Sequence, residues 1–302
     1  MKKISWVTHP QYDIPLPRNH KFTSSKFSDL FKELNRNGLI DFAKILIPKK
    51  ASTKDLTLVH DEKYIKKILD GSLEASEERR LGLKWSPELS NRSFLAVNGT
   101  LLTAKKAIED GIACHIAGGT HHSHYNFGSG YCVFNDLAYT STYLIRQGLV
   151  KRILILDCDV HQGDGTASIL EKNDKVFTCS IHCKNNFPAR KAKSDLDVEL
   201  EDNLDSGQYL EILKKTLFES TKNFKPDLVL YDAGVDVHVN DELGKLQVDD
   251  SGLLERDETV LKYFKNLSIP IATVIGGGYS KDNFELAKRH STIFKAAKNI
   301  FL

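Results

Sequence analysis

Asp157-Cys158-Asp159-Val160-His161 sets two carboxylates and an imidazole at alternate positions. In an extended segment alternate side chains leave the backbone on one side, so Asp157, Asp159 and His161 are expected to converge. No Lys or Arg adjoins them in the sequence, and carboxylates held so close repel unless a cation neutralises them. Oxygen and nitrogen donors together suit zinc or a related divalent ion, whereas calcium and magnesium sites usually lack histidine. The same spacing also suits an Asp-capped strand-to-helix turn with a solvated histidine. Gly163 and Gly165 permit a tight turn into a helix beginning near Thr166.

His121 and His122 follow Gly118-Gly119-Thr120. A histidine pair in a loop often serves only its hydrogen bonds. Beside spare carboxylates it can instead take a proton from water and return it to a leaving group near neutral pH. Asp157 and Asp164 are available to fix the ring tautomers. Tyr279 follows three glycines, Gly276 to Gly278. Its ring could cover a strand end, or its phenol could donate to a developing oxyanion. Asp236, in GVDVHVNDELG, could cap a turn or supply a second carboxylate ligand.

These residues need elements to bring them together. Strand-length apolar runs occur at 56–60 (LTLVH), 112–118, 152–160, 176–182, 227–234 and 269–277. Several are continuously apolar and β-branched, the pattern of strands buried on both faces. Helical patterns alternate with them: 87–110, with Ser86 as N-cap, proline at N1 and Gly111 as stop; 135–147, ending at Gly148; 206–224; and 249–267. Alternation of this kind predicts a mainly parallel sheet with helices on its faces. Lys184 to Gly207 is polar and poorly periodic, and reads as a long functional loop. In such sheets ligands bind beyond the carboxyl ends of the strands, which is where the chemistry-bearing residues fall.

The length admits one or two domains. With no internal repeat, low-complexity tract or linker, the expectation is a single domain over residues 1–302. Lys+Arg exceed Asp+Glu by only 42 to 40, which argues against a dedicated nucleic-acid binder. No apolar stretch suits a membrane span and no signal-peptide core follows the N-terminal lysines, so a cytoplasmic location is expected. The odd set Cys114, Cys132, Cys158, Cys179 and Cys183, without a CxxC, reads as free thiols used as small core residues.

Taken together, GGTHHSHYNFGSGYCVFND, LDCDVHQGDGT, SIHCKNNFPARKAKSDLD, DAGVDVHVNDELGKL and GGGY resemble the zinc-dependent histone deacetylase superfamily, most closely its class IV and bacterial branch. HPQYDIPLPRNHKF looks like that branch's opening, and LVHDEKYIKKILDG like its Val-His-Asp-x-x-Tyr segment, so the resemblance covers almost the whole chain. It implies the arginase–deacetylase α/β fold, with a central sheet of about eight strands flanked by helices. By resemblance, Asp159, His161 and Asp236 would hold one zinc ion per chain. His122 looks like the base that activates the attacking water, and His121 like its charged or acid partner. Asp164 and Asp157 match the carboxylates behind them, and Tyr279 matches the oxyanion tyrosine. Gly130, Tyr131 and Phe187 fall where the family's substrate tunnel lies, with Tyr131 in place of the more familiar phenylalanine. The resemblance also implies potassium on backbone carbonyls of Asp157, Asp159 and His161, with Ser180 as a side-chain ligand. Thr120 stands where class I enzymes carry tryptophan, and FTSSKF (22–27) replaces a Phe-Pro-Met-x-Lys-Tyr pattern.

The implied activity is hydrolysis of an acyl-lysine amide, most simply acetyl-lysine, in a peptide or protein. An acetylpolyamine or other acylated small amine would need the same catalytic residues. An arginase-like ureohydrolase shares the fold but typically carries Asp-x-His-x-Asp runs, and a non-catalytic acyl-lysine binder would have lost one of the key residues. Oligomeric state and biological pathway leave no mark in the sequence.

Overall fold

The computed structural model describes residues 3–17, 19–23 and 25–302; Arg18 and Ser24, within HPQYDIPLPRNHKF and FTSSKF, lie outside them. Where apolar residues run without a polar break, the chain forms strands buried on both faces. Among the described residues one sheet holds eight: β1 (Ile4–Val7), β2 (Ala43–Leu46), β3 (Ile112–His115), β4 (Ile153–Asp157), β5 (Val176–Cys183), β6 (Leu196–Leu200), β7 (Leu228–Asp232) and β8 (Ile271–Val274). Their order is β2-β1-β3-β8-β7-β4-β5-β6, and every neighbouring pair is parallel. The carboxyl ends of the central strands therefore share one rim. On the last rung of β4, Asp157 faces Ser180 of β5 on one side and Asp232 of β7 on the other.

The helices are α1 (Lys26–Arg36), α2 (Thr53–Leu56), α3 (Glu62–Asp70), α4 (Ala75–Leu81), α5 (Pro87–Asp110), α6 (Asp136–Arg146), α7 (Asp164–Leu170), α8 (Ser206–Lys222), α9 (Asp250–Asn266), α10 (Asn283–His290) and α11 (Thr292–Phe301). The long α5 packs on β1, β3, β8 and α6, while α9 packs on α8 and α11. Its bounds follow from its ends: Ser86 Oγ accepts the Leu89 N–H at 3.1 Å, Pro87 opens the first turn, and Gly111 closes it at φ +87°. A side-chain cap of this kind stabilises a helix by about 1 kcal/mol. All five cysteines are buried and unbridged. No helix of the described residues is long and apolar enough to cross a membrane.

Several expectations are corrected. LTLVH (56–60) is the end of α2 and a turn, not a strand. Ser52 caps α2 by accepting the Asp55 N–H at 3.0 Å, and Leu56 and Val59, three apart, point into the core. The stretch from Lys184 to Gly207 is not all loop, for it contains β6, an edge strand half covered and therefore rich in charge. β1 and β2 went unassigned because their apolar runs are broken: Ser5 interrupts β1, and β2 is an edge strand with Lys44 and Ile45 exposed. The helix after the DxDxH segment begins at Asp164, not near Thr166. Neither Gly163 nor Gly165 adopts a left-handed turn. A Cβ on Gly165 would instead collide with the Ser123 carbonyl, so glycine lets α7 pack against the histidine loop.

Candidate active site

The chain leaving β3 passes through Gly118 and Gly119 into Thr120, His121 and His122, and the start of α6 holds that loop. Asp136 Oδ1 accepts the Thr120 N–H at 2.8 Å and the Thr120 hydroxyl at 2.7 Å; its Oδ2 accepts the Gly119 N–H at 3.0 Å and the Thr100 hydroxyl at 2.6 Å. Asn135 Nδ2 donates to the carbonyls of His121 and Ser123 at 3.2 and 3.1 Å. The LVHDEKY segment supports the same region. His60 Nε2 accepts the Asn135 N–H at 2.9 Å, and the Tyr64 hydroxyl donates to the Val133 carbonyl at 2.7 Å. The two histidines are thus mounted on a loop held from both sides by Asp136 and Asn135.

Each then meets its own carboxylate. His121 Nδ1 lies 2.6 Å from Asp157 Oδ2, and His122 Nδ1 lies 2.6 Å from Asp164 Oδ1. His124 Nε2 approaches the other Asp164 oxygen at 3.1 Å. The pairs differ in charge. Burial opposes protonation of His121, but Asp157 and Asp159 outweigh it and hold that imidazole well above its ordinary value. Burial, followed by the charge on His121, pushes His122 down to about 4. Bonds from His122 and His124 overcome burial at Asp164 and hold it below the usual carboxylate range.

Asp159, His161 and Asp236 form a separate buried cluster. His161 Nδ1 lies 3.0 Å from Asp159 Oδ1 and 3.1 Å from Asp236 Oδ2. The remaining carboxylate oxygens are held by backbone: Asp159 Oδ2 accepts the Gly277 N–H at 2.7 Å, and Asp236 Oδ1 the Val160 N–H at 2.8 Å. A Cβ on Gly277 would overlap the Asp236 and Asp159 carboxylates, so only glycine fits there. With no cation among the donors, burial and the Asp159 charge push Asp236 up to about 7. Despite burial, hydrogen bonds and charge from Asp159 and Asp236 draw His161 up to about 10. Ligands about 2.0–2.2 Å from a tetrahedral ion stand about 3.3 Å apart, close to these separations. The donor set fits a small divalent ion.

Two sequence readings change here. Asp157 does not join Asp159 and His161: it lies on the last rung of β4, and the chain beyond the strand turns its side chain toward His121. It belongs to a second buried set, His121, Asp157 and Asp232, whose donor atoms also lie within 4.8 Å of one another. Nor is the region free of cations. Lys26 of α1 is buried beside the carboxylates, its Nζ donating to the Gly276 carbonyl at 2.8 Å, and burial lowers it to about 8. The sequence marks Asp232 by its place at the end of the 227–234 run but not its partner His121, and it does not mark Lys26, since the partners of both lie far along the chain.

Tyr279 follows β8 through the glycine turn, and its ring centroid stands 6.2 Å from that of His161. Its backbone N–H donates to Asp241 Oδ2 at 2.7 Å, a positioning contact the sequence did not reveal. Burial, with Asp159 and Asp236 nearby, keeps the phenol protonated well above its ordinary range. Tyr131, at φ +66°, places its ring 5.9 Å from that of Tyr279. Phe187 stands edge-on to His122 at 4.8 Å and keeps 44% of its surface exposed. With Gly130 these rings line a cavity of about 430 Å³ that ends at His122, His161 and Tyr279. Beyond it a cavity of about 30 Å³ is bounded by Phe22, Lys26, Arg92 and the glycines of both loops. Ser180, opposite Asp157, bonds His182 Nδ1 at 3.0 Å.

The relatives support a hydrolase of the deacetylase type. The chain matches the histone deacetylase domain model over residues 20–294 and belongs to that family. It is 45% identical to an uncharacterized protein of Picosynechococcus sp. over 98% of both chains. It is 30% identical to Histone deacetylase 2 of Arabidopsis thaliana, covering 94% of this chain and 76% of that one. It is also 30% identical to the acetoin utilization protein AcuC of Staphylococcus aureus, covering 86% and 73%. The solved HD domain of HDA15 superposes with a TM-score of 0.80 at 16% identity, over 97% of this chain and 88% of that one, which establishes the shared fold.

Proposed function

We propose that the protein hydrolyses the amide of an acylated amine, acetyl-lysine in the simplest case, with zinc held by Asp159, His161 and Asp236. The observation that carries this reading is the pair of adjacent histidines, each with Nδ1 2.6 Å from its own buried carboxylate, beside the Asp159, His161 and Asp236 donor set. Environments that push two titratable groups apart assign the acid and the base. His122, neutral and with Nδ1 bound to Asp164, keeps Nε2 free to take a proton from the attacking water and deliver it to the leaving amine. His121, charged against Asp157, adds positive charge beside it. The Tyr279 hydroxyl donates to the carbonyl oxygen as negative charge develops there. Gly130, Tyr131 and Phe187 enclose the aliphatic chain and exclude water around it. The divalent ion, when bound, supplies Lewis-acid polarisation and lowers the pKa of water. Potassium, implied by the same resemblance, would take ligands from backbone carbonyls of Asp157, Asp159 and His161 and from Ser180. An acetyl-lysine peptide incubated with zinc-loaded protein tests the proposal by mass spectrometry. Stoichiometric release of acetate, with the peptide left carrying an unacylated lysine side chain, is expected; an unchanged peptide at high enzyme concentration overturns it.

A further inference from the structure

The cavity that ends at His122, His161 and Tyr279 opens between two loops and the last turn of α4, and its mouth carries Arg79, Arg80 and Lys245. No Asp or Glu lines it. The nearest carboxylates have hydrogen-bond partners of their own, although Arg80 also helps to hold Glu77 low and Lys245 to hold Asp202 low. Glu77 takes Lys67 at 2.9 Å, Glu242 takes Lys21 at 2.9 Å, Asp202 takes Asn185 at 3.1 Å, and Asp241 accepts backbone N–H groups. Among the described residues, Arg79, Arg80 and Lys245 have no ion pair. Two of them are held in place without one: Arg80 lies over the Phe127 ring at 4.1 Å, and Lys245 Nζ donates to the Asn185 carbonyl at 2.9 Å.

We infer that the acyl amine taken here is an acyl-lysine with carboxylates beside it, either flanking acidic side chains or the α-carboxylate of free Nε-acyl-lysine, and not an acylated polyamine. This inference rests on the hydrolase reading above. The uncharged acyl-lysine chain occupies the tunnel, so whatever flanks it stands among the three cations. A charge-lined mouth with low-dielectric walls raises the local concentration of ligands of opposite sign and repels those of like sign. The ammonium groups of a polyamine would lie where the cations stand, with no carboxylate to receive them.

The test compares kcat/KM for acetyl-lysine peptides with Asp/Glu, Ala or Lys/Arg flanks, for free Nε-acetyl-lysine and for a mono-acetylated linear triamine, at low and high salt. The acidic peptide is expected to exceed the basic one by about tenfold at low ionic strength, with the gap closing as salt shortens the Debye length to about 3 Å near 1 M. Free Nε-acetyl-lysine matching the acidic peptide identifies the α-carboxylate as the group recognised; turnover confined to the peptide identifies the flanks. In the double variant Arg79→Glu/Lys245→Glu, checked for folding by its melting curve, the order of acidic and basic peptides is expected to invert. Rates indifferent to flank charge, a preference for the triamine, or an order unchanged in the variant overturns the inference and leaves the hydrolase reading standing. Absence of turnover on every substrate, the Ala-flanked peptide included, overturns the hydrolase reading and this inference with it.

Discussion

The Asp164 carboxylate lies 2.6 Å from Nδ1 of His122 and 3.1 Å from Nε2 of His124, so one acid orients the histidine assigned to proton transfer and is itself steadied by another. The arrangement separates proton transfer from metal ligation. His122→Ala is therefore expected to keep its metal while losing about 10²- to 10⁴-fold in kcat, the usual cost of a missing general base. Asp164→Asn should lose less, because the ring remains and only its tautomer and basicity change. Metal analysis beside steady-state rates checks this, and loss of metal from His122→Ala would overturn the assignment.

Metal content and its pH dependence follow from the two buried triads. In Asp159/His161/Asp236 the metal-free donors bind protons tightly, with Asp236 near 7 and His161 near 10. Ligands must shed those protons to bind an ion, so affinity should rise with pH across that window and each binding event should release protons. Calorimetry in buffers of different ionisation enthalpy reads the release directly. About one divalent ion per chain is expected, because His121 and Asp157 already share a short hydrogen bond in the other set. Two divalent ions per chain would mean that Asp232 and its neighbours bind metal as well.

Acyl length is set by the small inner cavity. Its free space, about 30 Å³ open to the centre of a water-sized sphere, is far smaller than the 430 Å³ of the outer cavity by the same measure. An acetyl methyl fits such a space, and a chain of six carbons does not unless Phe22 or Lys26 moves. kcat/KM should fall by about tenfold or more from acetyl- to hexanoyl-lysine, because forcing extra methylenes among packed side chains costs about 1–3 kcal/mol. Phe22→Ala should narrow the difference. Equal rates for the two substrates in the parent would show that the cavity expands freely.

How much of this was legible follows from the physics of each element. β3, β4, β5, β7 and β8 lie inside the sheet, so their residues are apolar on both faces and read plainly as strands. α5 announced itself through Ser86, Pro87 and Gly111. The failures lie where the pattern is diluted. β6 (LDVEL) is an edge strand with charge on its open side, and LTLVH has strand-like composition but follows a helix cap. The DxDxH spacing pointed to a metal, yet alternation alone placed Asp157 in the wrong cluster, because the strand ends at that residue. Lys26, Asp136 and Asp241 act through partners remote in sequence: Lys26 meets Gly276, and Asp241 meets Tyr279. No local pattern encodes such pairings.

Tyr279→Phe isolates the oxyanion assignment, because it deletes one hydroxyl and keeps the ring that packs beside Tyr131 and His161. The backbone bond to Asp241 does not involve the side chain, so the glycine turn should hold its place. Fold, melting temperature and metal content should stay close to those of the parent. If the phenol donates to charge that appears only during reaction, kcat should fall by about 10²- to 10³-fold, or about 2.7–4 kcal/mol of transition-state stabilisation. Substrate affinity should change far less, because the ground-state carbonyl gains little from the same donor. A ring that merely covers the end of β8 would need no hydroxyl, and the variant would then turn over normally. Retention of more than about a third of the parental kcat would return GGGY to a structural turn and leave the developing charge to other donors.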